Sequence, residues 1–169
     1  MVTATLHGAG DRATIHFERR LAHPIERVWR ALTEPAELSH WFPAEVTVDL
    51  RVGGAVSFVF ADSGDAAPPG RVTELDSPRL FAYEWGGDLL RWELRPDGDG
   101  CLLVFTYTFD RRDEAAKFAA GWDVCLAALD ARLSGRPPAD SSERWIDRYA
   151  AYREAFSEPT GQTGDRPVG

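Results

Sequence analysis

Residues 80–109 read LFAYEWGGDLLRWELRPDGDGCLLVFTYTF, and the pattern of this stretch decides the fold. Phe81, Tyr83 and Trp85 alternate with Ala82 and Glu84, and Leu90, Trp92 and Leu94 alternate with Arg91, Glu93 and Arg95. Leu103, Phe105, Tyr107 and Phe109 alternate in turn with Val104, Thr106 and Thr108. A period of two belongs to half-buried strands, whose side chains point to the two faces in turn. Gly86-Gly87-Asp88 and Pro96-Asp97-Gly98-Asp99-Gly100 supply turns between the runs. Strands joined so tightly predict an antiparallel meander with one apolar, ring-rich face.

Such a face needs a cover, and the next segment provides it. Phe118, Trp122, Cys125, Leu126, Leu129 and Leu133 recur at helical spacing with no proline between Asp113 and Leu133. At ~1.5 Å per residue this helix spans roughly 30 Å, enough to cross a small domain. Gly121 interrupts it at a cost of ~1 kcal/mol relative to Ala, so a close approach, a kink or room for a ligand is expected there. Ser134-Gly135-Arg136-Pro137-Pro138 stops the helix. Asp140 with Glu143 reads as a new helix start, and Trp145, Tyr149, Tyr152 and Phe156 put an aromatic stripe on it.

Upstream, three further alternating runs lead into the meander, around Val46–Leu50, Val56–Phe60 and Arg71–Leu75, with Gly53-Gly54 and the loop Asp62–Gly70 as breaks. Before them lies a first strand, Ala13–Arg20, with Ile15 and Phe17 on one face. Between it and the next strand the period changes. Ile25, Val28, Trp29 and Leu32 form one helical stripe after Pro24, and Pro35–His40 makes a second short helix ended by Trp41-Phe42-Pro43. The reading is therefore an α+β fold in the order strand, two helices, six strands, long helix, with an extra final helix. About seven strands curve around the long helix as a single domain over residues 12–157. Residues 1–11 read as a loose lead-in, and 158–169 as a disordered tail.

Composition excludes several functions. The formal net charge of −8 disfavours nucleic acid and anionic membranes as partners. No stretch approaches the ~18 apolar residues of a membrane span, and no signal core is present, so a cytoplasmic location is expected. Cys101 and Cys125 lack metal spacing and read as reduced thiols. Walker loops, dinucleotide fingerprints, nucleophile elbows and HExxH motifs do not occur.

The order of short motifs also resembles a known superfamily. Phe17-Glu18-Arg19-Arg20, Val28-Trp29-Arg30-Ala31-Leu32-Thr33 and His40-Trp41-Phe42-Pro43 are similar to the opening of SRPBCC (START-like, birch-pollen-allergen-like) proteins. The similarity is to the branch named after the activator of the heat-shock protein 90 ATPase. Gly53-Gly54, Gly70-Arg71-Val72-Thr73-Glu74-Leu75, Leu80 to Trp85, Trp92-Glu93-Leu94 and Gly121-Trp122 match that branch at corresponding places. The resemblance covers about Thr14 to Leu133. It implies the helix-grip fold and a hydrophobic cavity between sheet and helix. It does not imply one function, since relatives include ligand carriers, cyclases, self-sacrificing resistance proteins and chaperone co-factors.

The candidate ligand-binding residues are Trp41, Phe42, Phe58, Phe60, Glu74, Tyr83, Trp85, Trp92, Phe105, Tyr107, Phe118 and Trp122. A filled core accounts for Phe105 and Phe118, whereas inward Tyr and Trp each bring a polar atom that needs a partner. Glu74 shares parity with Val72, so it either points inward or is turned out by a bulge; inward, it could orient a ligand or act as a base. His40 stands near the expected cavity mouth, where a capping or surface role competes with a catalytic one. Asp123 on the long helix carries the same ambiguity as Glu74, and an exposed helix face is the preferred reading. No catalytic residue, metal site or cofactor is assigned. The preferred function is binding of a small hydrophobic or aromatic molecule, ahead of a cyclase- or hydrolase-like enzyme and of a chaperone ATPase co-factor. Monomer and homodimer both fit.

Overall fold

Each alternating run becomes a strand of one curved antiparallel sheet in the computed structural model, which describes residues 4–60, 68–137 and 140–157. In chain order the elements are β1 (Ala4–His7), β2 (Ala13–Leu21), α1 (Ile25–Thr33), α2 (Pro35–Leu38), β3 (Glu45–Val48) and β4 (Ala55–Val59). There follow β5 (Gly70–Asp76), β6 (Leu80–Trp85), β7 (Asp88–Asp97), β8 (Gly100–Phe109), α3 (Ala115–Leu133) and α4 (Ser141–Ser157). The sheet order is β1-β2-β8-β7-β6-β5-β4-β3. This is a helix-grip α+β fold with eight strands rather than about seven. The added strand is β1, which lies in the expected lead-in and pairs Ala4 with Phe17 and Leu6 with Ile15. The expected tail, 158–169, and most of the Asp62–Gly70 loop lie outside the described residues.

The register fixes which side chains share the concave face. Trp92 sits opposite Phe81 and Phe105, Leu90 opposite Tyr83 and Tyr107, and Phe17 opposite Phe105. Burying one face of a sheet removes its apolar atoms from water at about 25 cal/mol per Å², the dominant gain here. At the Gly53-Gly54 turn, Gly53 has φ +84°, and a Cβ on Gly54 would overlap the Asp49 carbonyl oxygen. Both positions require glycine, and the turn they make brings the Gly54 carbonyl within 2.9 Å of the Val72 amide on β5.

Helices α1 and α2 carry the chain from β2 to the far edge of the sheet. Val28, Trp29, Ala31 and Leu32 are the buried stripe of α1, and Trp29 meets Phe81 edge-on at 6.3 Å. Pro24 caps α1 rather than opening it: its carbonyl accepts from the Arg27 and Val28 amides. The Trp41 indole N–H donates to the Ala31 carbonyl at 2.8 Å, tying the segment after α2 back onto α1. The Glu37 carboxylate lies 3.4 Å from Arg27 and 3.2 Å from Arg132, linking α1, α2 and the C-terminal end of α3. Burial pushes the Glu37 carboxyl upward, but hydrogen bonding and charge from Arg132 and Arg27 outweigh it and hold it below the usual range.

Helix α3 is apolar on more than one side because it is covered twice, by the sheet and by α4. Tyr152 of α4 is fully buried against it.

Candidate functional site

Strands β4, β6, β7 and β8, the segment after α2 and helix α3 bring eleven of the twelve sequence-predicted residues into one aromatic cluster. Trp92 and Phe105 stack at 3.8 Å between centroids, and Phe58 and Trp85 stack at 4.2 Å. Trp122 is the hub on the helix, with Phe105 at 4.9 Å, Tyr107 at 5.6 Å, Phe42 at 5.7 Å and Trp92 at 6.0 Å. Trp41 joins through Trp92 at 5.7 Å, Phe60 through Trp85 at 5.7 Å, and Phe118 through Tyr107 at 5.5 Å. Tyr83 completes the group, 6.0 Å from Phe58.

Burial divides the cluster. Trp41, Phe42, Phe58, Tyr83, Trp92, Phe105 and Tyr107 are buried, whereas Phe60, Trp85, Phe118 and Trp122 are only half-buried, as is Cys125 one turn beyond Trp122. Phe42 also forms a partition. On its other side lies an open groove of about 520 Å³ between α2 and β3, which it helps to line with Pro35, Ser39 and Val46.

Glu74 is not part of this site. The pairing of β5 with β6 shifts register between Val72 and Glu74, so a bulge turns the carboxylate to the outer face. There it is exposed and pairs with Arg91 at 3.2 Å, which also holds Glu93 at 2.8 Å. His40 is exposed on the surface beside the buried Trp41.

Burial favours the protonated form of the hydroxyls and the thiol among the rings. Burial pushes the Tyr83 hydroxyl well above its ordinary range; a hydrogen bond from Trp92 opposes this only in part. Burial likewise pushes the Cys125 thiol up to about 12. At one end of the cluster the Tyr107 hydroxyl donates to Asp88, and burial together with that carboxylate raises it too. Arg111 approaches the same Asp88 oxygen at 3.3 Å and lies over the Phe118 ring at 5.0 Å.

The sequence reading misses one buried polar centre. Asp123, expected to be exposed, is 4% accessible on the side of α3 away from the rings. The Tyr152 hydroxyl donates to it at 2.6 Å, while Arg148 lies at 3.6 Å and Arg19 at 3.8 Å. The one available signal is that Asp123 falls between the apolar positions of a helix that is apolar nearly all round. Among the described residues no group of His, Cys, Asp and Glu could hold a metal ion, and no helix is long and apolar enough to cross a membrane.

Comparison with solved structures finds the same fold repeatedly. CalU16 from Micromonospora echinospora is 23% identical, with 92% of this chain and 95% of that chain covered at a TM-score of 0.70. A conserved protein of unknown function from Enterococcus faecalis is 22% identical over 90% of each chain, with a TM-score of 0.76. A protein from Bordetella parapertussis is 23% identical, covering 99% of this chain and 97% of its own at a TM-score of 0.66. A comparison with curated proteins gives no match. The profile of the family described as Activator of Hsp90 ATPase homolog 1-like protein matches residues 22–134, from the end of β2 through the whole of α3. With β3 to β8, α3 and all eleven clustered rings inside that span, the chain belongs to this family, a branch of the SRPBCC proteins.

Proposed function

We propose that the protein binds a small hydrophobic or aromatic molecule between the sheet and α3, acting as a carrier, sensor or sequestering protein. The observation that carries this reading is the half-burial of Phe60, Trp85, Phe118 and Trp122 beside a fully buried ring stack. Rings of this size left partly in water on the inner side of a sheet are surface that a ligand can cover, at ~25 cal/mol per Å². The remaining candidate residues, Trp41, Phe42, Phe58, Tyr83, Trp92, Phe105 and Tyr107, form the wall behind them.

The chemistry of the wall favours holding over turnover. An acid–base enzyme needs a group that exchanges protons near neutrality. Tyr83 and Cys125 are both held protonated well above that range, and Glu74 faces outward. The free thiols of Cys101 and Cys125 fit a reducing, cytoplasmic setting.

The test is a thermal-shift screen of protein freed of co-purified ligand, against fatty acids, aromatic polyketides, flavonoids and steroids. A ligand at a hundred times its dissociation constant stabilises by ~2.7 kcal/mol, which raises Tm by roughly 5–10 °C. A shift confined to one class, lost in Trp122→Ala, is the expected result. No shift with any class overturns the proposal.

A further inference from the structure

Among the described residues the sheet ends at β3, whose far edge has no neighbouring strand. The Asp49 amide donates to the Ala55 carbonyl at 2.9 Å, continuing the register that pairs Glu45 with Val59 and Thr47 with Ser57. Bonding directions alternate along an antiparallel strand, so Glu45 and Thr47 bond toward β4. The N–H and C=O groups of Val46 and Val48 therefore point to the free edge. Among the described residues no backbone bond outside the sheet uses them. A row of unpaired backbone groups is a template for another strand.

The groove of about 520 Å³ between α2 and β3 runs along this edge. Its lining takes Val46 from the inner face of β3 but Glu45 and Thr47 from the outer face, and only the rim of a strand meets both. The same corner carries an excess of apolar surface. Four large apolar side chains are strongly exposed among the described residues. Three of them, Leu50, Val52 and Val59, belong to β4 or to its turn with β3.

Charge and size choose the occupant. Glu45 is the charged side chain of the groove, and among the described residues no cation lies within ion-pair distance of it. Cross-strand neighbours share a face, so a cation opposite Glu45 would pair with it. An apolar residue opposite Val46 would share its side of the groove. A second copy of the chain fits less well, because it brings a further formal charge of −8. Four residues of edge, ~13 Å of strand, also supply little of the ~1,200 Å² that a stable dimer buries. They suit a short segment held by main-chain bonds, with alternate side chains giving specificity.

The geometry points to β3 as a docking edge that takes an extended segment of a partner protein as its antiparallel neighbour. That segment carries apolar side chains opposite Val46 and Val48, and a lysine or arginine opposite Glu45. This interaction does not depend on ligand binding between the sheet and α3.

The probe is the blocked peptide Gly-Thr-Val-Thr-Val-Lys-Gly, titrated into the isotope-labelled full chain and followed by amide NMR. One control peptide has glutamate in place of lysine. Another is N-methylated at both valines, which removes the donors that would face Val46 and Val48. The expected result is that the Val46 and Val48 amides shift with the first peptide and exchange with solvent more slowly. The glutamate peptide binds about 2–5-fold more weakly, the span of one surface ion pair. In Glu45→Lys that preference inverts, while the rest of its amide spectrum stays that of the folded wild type. The N-methylated peptide leaves both amides unmoved.

Binding that survives N-methylation, or shifts that spare Val46 and Val48, overturn strand addition. Equal affinities for the lysine and glutamate peptides overturn the basic residue. If the two amides respond to protein concentration alone and sedimentation shows a dimer, a second copy replaces the partner segment. No shift with any peptide overturns the docking edge itself.

Discussion

Toward the ring-bearing strands, α3 presents Phe118 and Trp122; toward β2 and α4 it presents Asp123. Rings hold their neighbours without direction, so the sheet side can shift a ring with small loss of contact energy. Asp123 accepts a short hydrogen bond from Tyr152 and makes longer ion pairs with Arg148 and Arg19, so its contacts reach both β2 and α4. The polar side ties α3 to two other elements by direction-dependent contacts, and the aromatic side does not.

Phe105→Ala should cost the most, about 3–5 kcal/mol, because a fully buried ring stacked on Trp92 leaves a void. Thermal denaturation should show a Tm lowered by roughly 10 °C. A loss under about 1 kcal/mol would mean that neighbouring rings refill the space, and that the aromatic side is softer than its stacking implies.

Asp123→Ala should cost somewhat less, about 2–4 kcal/mol, since the two arginines it abandons are themselves partly solvated. Urea unfolding of this variant, of Tyr152→Phe and of the double variant gives their coupling directly. Additivity of the two would show that the hydroxyl and the carboxylate are not one unit.

A Cβ at Gly121 would meet nothing within 4 Å, so Gly121→Ala should stabilise the helix by up to about 1 kcal/mol. Chemical denaturation that instead showed destabilisation would mean that this space beside Trp122 is in use.

Much of this architecture is legible in the amino-acid sequence. Seven strands, their faces and the long helix follow from alternation and helical spacing, because burial of one face imposes a strict period. Legibility ends where partners are remote or the backbone departs from the period. The parity of Glu74 misleads because one bulge between Val72 and Glu74 reverses it, and no residue type announces a bulge. Asp123 reads as exposed because a lone carboxylate on a helix usually is. Its partner Arg19 belongs to β2, far away in the chain, and nothing local to Asp123 signals that pairing. β1 escapes notice because four residues with a single large apolar side chain, Leu6, are too few to display a period. That the rings gather on one side of the sheet is visible in the alternation. Their division into buried and half-buried is not, since it depends on how α3 lies across the sheet.

Every pairing from β3 to β8 joins successive strands, so that part of the sheet can assemble in the order of synthesis. β2 is different: its neighbour in the middle of the sheet is β8, and Thr14 bonds to Thr108 across 94 positions. At about 5–20 residues per second, Ile15 and Phe17 wait roughly 5–20 s for that partner during translation. The strand that completes the sheet is followed at once by the helix that covers it. The apolar face is therefore assembled last and sheltered almost as soon as it exists.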